Sequence, residues 1–84
     1  MMEWKQDIVK TPVTKYRSEC GDINMMVESE TDPDKGRFHY VIYSLGRFVK
    51  RNITDALDAW PREVVAELRA EADKLEKQFD KEAK

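Results

Sequence analysis

GRFHYVIYSLGRFVKRN, residues 36–52, gathers four aromatic rings and five cationic or imidazole side chains around a single glycine-marked reversal. Phe38 to Tyr43 is a compact β-favouring run, and Ser44-Leu45-Gly46 is the connection that follows it. A two-residue Leu45-Gly46 turn would force a positive φ on a branched side chain. A three-residue loop ending with Gly46 in the left-handed region avoids that cost. This reading sets Tyr43 opposite Arg47, Ile42 opposite Phe48, Val41 opposite Val49, Tyr40 opposite Lys50 and His39 opposite Arg51. One face then carries Phe38, Tyr40, Ile42 and Phe48 together with Ile23, Met25 and Val27. The other carries His39, Val41, Tyr43, Arg47, Val49 and Arg51, plus Met26. A slip of one residue would exchange the faces, because the side-chain period of a strand is two.

Upstream, Ile23, Met25 and Val27 alternate with Asn24, Met26 and Glu28, the pattern of a half-buried strand. The acidic stretch "ESETDPDKG" closes a hairpin between strands at about 22–28 and 37–43, and Pro33 within it fits a loop rather than a central strand. The segment "DIVKTPVTKYRSEC" favours strand but is interrupted by Pro12, which predicts an edge strand on either side of a bulge. Trp4 has no assigned place.

The C-terminal third reads as helix. Thr54 is the expected N-cap of a short helix with Asp55 in its first turn, and Pro61 stands at the start of a second, longer one. Trp60, preceding proline, is biased away from helical backbone, so a break is expected there. Val65, Leu68, Ala72, Leu75 and Phe79 recur at spacings of three and four, a narrow apolar seam. A helix over 62–83 would be about 33 Å long at 1.5 Å per residue, against about 20 Å for six-residue strands. The seam should therefore overhang the sheet. Leu68, Ala72, Leu75 and Phe79 become candidates for self-association or docking, covered by a second copy or by a partner's groove. A sheet laid diagonally beneath the helix is the other way to cover them.

The chain of 84 residues reads as a single α+β domain, with sheet over about 5–51 and helix over about 54–82. The architecture expected is an antiparallel meander of three or four strands followed by a C-terminal helix or broken helix pair packed on one face. A domain this small buries only about 60 to 65 % of the surface its unfolded chain exposes. Modest stability, helped by homodimerisation, is the consequence.

Composition narrows the function. The formal net charge is −2 and the isoelectric point about 5.4, but the charge is uneven: residues 1–53 hold nine Lys/Arg against eight Asp/Glu, residues 54–84 six against nine. Neither half has the dense basic stripe of a protein that lives on phosphate contacts. With one cysteine, Cys20, and one histidine, His39, no intrachain disulfide or zinc-type cluster can form. A reducing, cytoplasmic setting is expected, the more so as the N-terminal stretch has no apolar run of signal-peptide length and no segment has the length for a membrane span.

Candidate catalytic residues are poorly supported. His39 lacks a neighbouring Ser or Cys motif to act upon, and Glu19 and Asp22 beside Cys20 would raise rather than lower a thiol pKa. Glu28, Glu30, Asp32 and Asp34 are close in sequence, but "DPDKG" is too short for a calcium loop of the EF-hand kind. Neither a metal nor a cofactor is expected. The best candidate site is the expected outer face: Met26, Val41, Tyr43 and Val49 as an apolar centre, rimmed by Arg47 and Arg51, a composition favoured at protein interfaces.

These features favour a non-enzymatic protein-binding module, a small cytoplasmic regulator or inhibitor that occupies a surface of another macromolecule. By analogy of size and class alone, such builds occur among virus- or plasmid-encoded inhibitors of host enzymes. The alternative is a nucleic-acid-associated regulator using Arg47, Lys50 and Arg51.

Overall fold

The computed structural model describes residues 2–11, 13–30 and 39–82 of the chain. The strands are β1 (Lys5–Val9), β2 (Val13–Cys20), β3 (Ile23–Glu30), β4 (His39–Leu45) and β5 (Phe48–Lys50); the helices are α1 (Ile53–Ala56) and α2 (Arg62–Glu82). The five strands pair antiparallel in sequence order, a meander with β1 and β5 at its edges and α2 across one face. The α+β architecture is as expected, with five strands instead of three or four. The acidic 31–36 loop with Pro33, Asp32 and Asp34, the placement of Phe38 and the geometry at Pro12 lie outside the described residues, as do the side chains of Glu30 and His39.

The extra strand comes from the segment around Pro12. Instead of one bulged edge strand, the chain reverses there: Val9 pairs with Lys15 and Lys5 with Glu19. The Thr11 hydroxyl donates to the Val13 carbonyl just before β2 begins. β2 thereby becomes a central strand between β1 and β3. Its alternation is clean, with Thr14, Tyr16 and Ser18 buried while Lys15, Arg17 and Glu19 stand on the other side.

Two glycines close the next connections. Cys20 pairs with Ile23 across Gly21-Asp22, and Leu45 pairs with Phe48 across Gly46-Arg47. Gly21 and Gly46 have φ of 58° and 59°, and no other residue described has positive φ. Each is therefore a two-residue turn with glycine in the first central position, whose twist matches the strands it joins. The expected three-residue Ser44-Leu45-Gly46 loop is corrected by this: Tyr43 lies opposite Lys50, not Arg47. The two turns sit side by side, the Gly46 N–H donating to the Asp22 carbonyl at 3.2 Å.

Ladder register decides the faces. Met25 pairs with Ser18 on one side and Tyr43 on the other, and Val27 pairs with Tyr16 and Val41. Thr14, Tyr16, Ser18, Ile23, Met25, Val27, Val41, Tyr43 and Leu45 consequently share the helix-facing side. Tyr40 and Ile42, expected there, point away with Met26. Phe48 is on the helix-facing side as expected, yet 67 % exposed, because it stands at the edge beyond the cover of the helices.

α1 begins after Asn52, not Thr54: Asn52 has extended backbone and its carbonyl accepts the Asp55 N–H at 3.0 Å. The break falls at Trp60 as expected, and the Pro61 carbonyl accepts the first bond of the long helix from the Val65 N–H at 3.0 Å. Trp60 meets Tyr43 edge-on with centroids 5.1 Å apart, while Phe79, at the other end of α2, meets Tyr16. The helix thus starts over β4 and ends over β2, crossing the sheet diagonally. β2 and β3 have eight residues each, about 26 Å at 3.3 Å per residue. The diagonal course and the longer strands together cover the whole seam.

Candidate functional site

On the side turned away from α2, three rows of side chains run across the strands. Lys5, Glu19, Asn24, Ser44 and Val49 form the first; Asp7, Arg17, Met26 and Ile42 the second; Val9, Lys15, Glu28 and Tyr40 the third. No described element packs over them. Arg51 follows Val49 by two residues and its charge reaches Tyr40. The middle of this face is a shallow depression of about 390 Å³, with half-buried Met26 and Ile42 as its floor and Lys5, Asp7, Arg17 and Glu19 around it.

The third row is the most tightly knit. The Tyr40 hydroxyl donates to Glu28 Oε2, and Lys15 Nζ lies 3.5 Å from Glu28 Oε1. Glu28 is only 7 % exposed although it stands on the uncovered face, because these two neighbours lean over it. The hydrogen bond to Glu28 raises the Tyr40 pKa, with partial burial and the Glu28 charge acting in the same direction and Arg51 opposing. Tyr40 therefore stays a neutral donor at neutral pH.

The six residues expected to form one outer cluster divide between the two faces. Met26 and Val49 lie on the open face, Arg51 beside it, and Arg47 is exposed in the turn. Val41 and Tyr43 do not belong with them: both face the helix, Val41 half-buried and Tyr43 at 0 % exposure. The reason is the register, since Met25 and Tyr43 are directly paired and must share a face. The Tyr43 hydroxyl lies towards the backbone of Asp55 and Ala56, closes no hydrogen bond of normal geometry, and has its pKa raised chiefly by burial.

The second set is corrected as well. Leu68, Ala72, Leu75 and Phe79 are 0, 8, 0 and 3 % exposed, sealed by the chain's own sheet. In the single chain they are not part of its exposed surface. Beside them, Glu71 is 4 % exposed, and its Oε1 accepts hydrogen bonds from Ser18 Oγ at 2.6 Å and Gln6 Nε2 at 3.1 Å. Gln78 Nε2 reaches Gln6 Oε1 at 3.4 Å, and the Tyr16 hydroxyl donates to the Gln78 carbonyl at the same distance. This polar seam ties the edge strand β1 to α2. Trp4, unplaced by sequence reasoning, packs half-buried against the core.

What sequence reasoning missed on the open face is Lys5, Asp7, Lys15, Arg17 and Glu19. The signal was present in the charges at 15, 17 and 19, a period of two that marks a solvent face. It was hidden by a buried face of Thr14, Tyr16 and Ser18, which does not look like a core. Cys20 is a half-buried thiol at the end of β2. Among the described residues there is no group of three or more His, Cys, Asp or Glu that could hold a metal ion, and no helix long and apolar enough to cross a membrane. No family model, curated protein or solved structure matches the chain.

Proposed function

We propose that this chain is a non-enzymatic binding module, a small cytoplasmic regulator or inhibitor, that occupies a surface of another protein with the open face of its sheet. The observation that carries the reading is the build of that face. An apolar floor of Met26 and Ile42, extended by Val49, lies within a rim of both charge signs. Apolar centres excluded from water and polar rims are the anatomy of transient protein interfaces. The flexible thioether of Met26 suits a surface that must adapt to a partner.

The rim also weighs the proposal against nucleic acid. Lys5, Lys15, Arg17 and Arg51 stand among Asp7, Glu19 and Glu28, and Tyr40, the ring best placed to stack on a base, is held by Glu28. Alternating signs favour ion pairing with a protein surface over a run of phosphates. Should the chain dimerise, as its size suggests, the open face and the sheet edges are the surfaces left for it.

The test places a photo-crosslinking residue at Met26, on the open face, and at Lys74, on the exposed side of α2, in cells producing the protein. Position 26 is expected to yield discrete adducts with a protein, suppressed by Arg17→Glu, while position 74 yields none. Adducts with nucleic acid would shift the assignment to the alternative regulator. Equal or absent adducts at the two positions would remove the open face from consideration.

A further inference from the structure

The sheet ends on one side at β5, and its Phe48 and Val49 are 67 % and 64 % exposed, more than any other large apolar side chain described. They project from opposite faces of the sheet. Neither α2 nor an occupant of the open face covers both. A further strand alongside β5 would, because its own side chains alternate in the same way.

The backbone is set for this. Leu45 and Phe48 flank a two-residue turn and so exchange the bonds of a hydrogen-bonded pair. Antiparallel ladders alternate, which makes Ser44 and Val49 the next, non-bonded pair and directs the Val49 N–H and C=O away from β4.

Charge selects the occupant. Arg47 precedes the two apolar residues and Lys50 and Arg51 follow them, none of the three is in an ion pair among the described residues, and no Asp or Glu occurs from Ser44 to Thr54. Glu28, two strands away, is already engaged by Tyr40 and Lys15. Two copies of β5 set edge to edge would bring this row of cations against itself, so a second copy is disfavoured. We propose that β5 receives an acidic, extended segment of a partner protein, which adds as a sixth strand bonded to Val49 and sets its carboxylates against Arg47, Lys50 and Arg51. This rests on the binding reading above and names the partner's chemistry. The shortness of β5 and its cations also discourage indiscriminate pairing, which leaves specificity to charge.

The experiment uses ¹⁵N-labelled protein and two seven-residue peptides, one of sequence Glu-Glu-Val-Val-Glu-Glu-Val and one with lysine in place of each glutamate, so that both faces of the added strand carry valine and charge. The glutamate peptide is expected to shift the Val49 and Arg51 amides and slow exchange at the Val49 N–H at least tenfold, with the effect fading as salt rises. The lysine peptide should do neither. Val49→Pro, which removes an outward N–H that no bond to β4 uses, should abolish the response at the Arg51 amide, and Arg47→Glu with Arg51→Glu should transfer it to the lysine peptide. An unchanged Val49 amide, or equal responses to the two peptides, overturns the proposal. Shifts confined to Met26 and Arg17 overturn strand addition while leaving the open-face reading standing.

Discussion

Tyr16 and Phe79 meet edge-on, ring centroids 6.3 Å apart and planes at 88°, and with this contact the last turn of α2 is fastened to the second strand of the sheet. Phe79 is a core residue, not a free surface. Phe79→Ala should cost about 3 to 5 kcal/mol, most of the stability of a domain this small. Urea unfolding followed by tryptophan fluorescence measures it, and a variant as stable as the wild type would contradict the packing.

Tyr43 carries a hydroxyl that is buried without a hydrogen-bond partner. Removing it while keeping the ring relieves a desolvation cost, so Tyr43→Phe is expected to be neutral or to gain up to about 1 kcal/mol. Tyr43→Ala should lose about 3 to 5 kcal/mol. Paired thermal melts distinguish a core ring from a surface ring, for which both changes would be small.

A pH dependence follows from the same side chain. Burial raises the folded-state pKa of Tyr43, so the folded state holds the phenolic proton more tightly than the unfolded chain. The resulting stability is intact below the unfolded value of about 10 and is lost as pH rises through the folded value. Stability of the wild type should thus fall above about pH 10 more steeply than that of Tyr43→Phe. Denaturant midpoints at neutral and alkaline pH give the comparison, and Tyr40→Phe accounts separately for the Tyr40 contribution, which has the same sign.

Gly46 has φ of 59°, and a Cβ built on it would meet nothing within 4 Å. The cost of a side chain there is conformational, not steric crowding. Gly46→Ala should destabilise by about 1 to 2 kcal/mol, and Gly46→Asn by less, since asparagine visits the left-handed region more readily. Equal losses for the two would mean that the side chain meets an obstacle after all.

Glu71 accepts from both Ser18 and Gln6 on one oxygen. Glu71→Ala leaves a buried hydroxyl unpaired, at a cost of about 1 to 3 kcal/mol, and removes the polar tie to β1. Amide exchange in Lys5–Val9 should accelerate before that of β3, and uniform acceleration across the sheet would deny β1 any separate attachment.

The helical part was largely legible because its signals are local. Seam spacing, Pro61 and the bias at Trp60 each act within a few residues, and the break and the buried seam lie where they point. The sheet faces were not, for a physical reason. Tyr40, Val41, Ile42 and Tyr43 are all fit for burial, so no alternation marks which of them point inward. That choice rests on the pairing of Met25 with Tyr43, a relation across the chain. The turn misled as well: attention to Leu45-Gly46 passed over Gly46-Arg47, where the glycine takes the first central position. Of the candidate face, Met26 and Val49 were legible, with Arg51 beside it and Arg47 in the turn; the charged rows of β1 and β2 were hidden behind the reading of a single strand interrupted at Pro12.

The order of the elements along the chain bears on how the protein is made. Every strand pairs with its sequence neighbour, so the sheet forms by short-range closures that are kinetically inexpensive. Yet Val65, Leu68, Leu75 and Phe79, which seal its helix-facing side, are synthesised after all five strands. Until Phe79 has left the ribosome, Tyr16, Met25, Val27 and Tyr43 have no lid. The nascent sheet is then open on both sides, and completion of α2 is the event that converts it from a sticky intermediate into a protected fold.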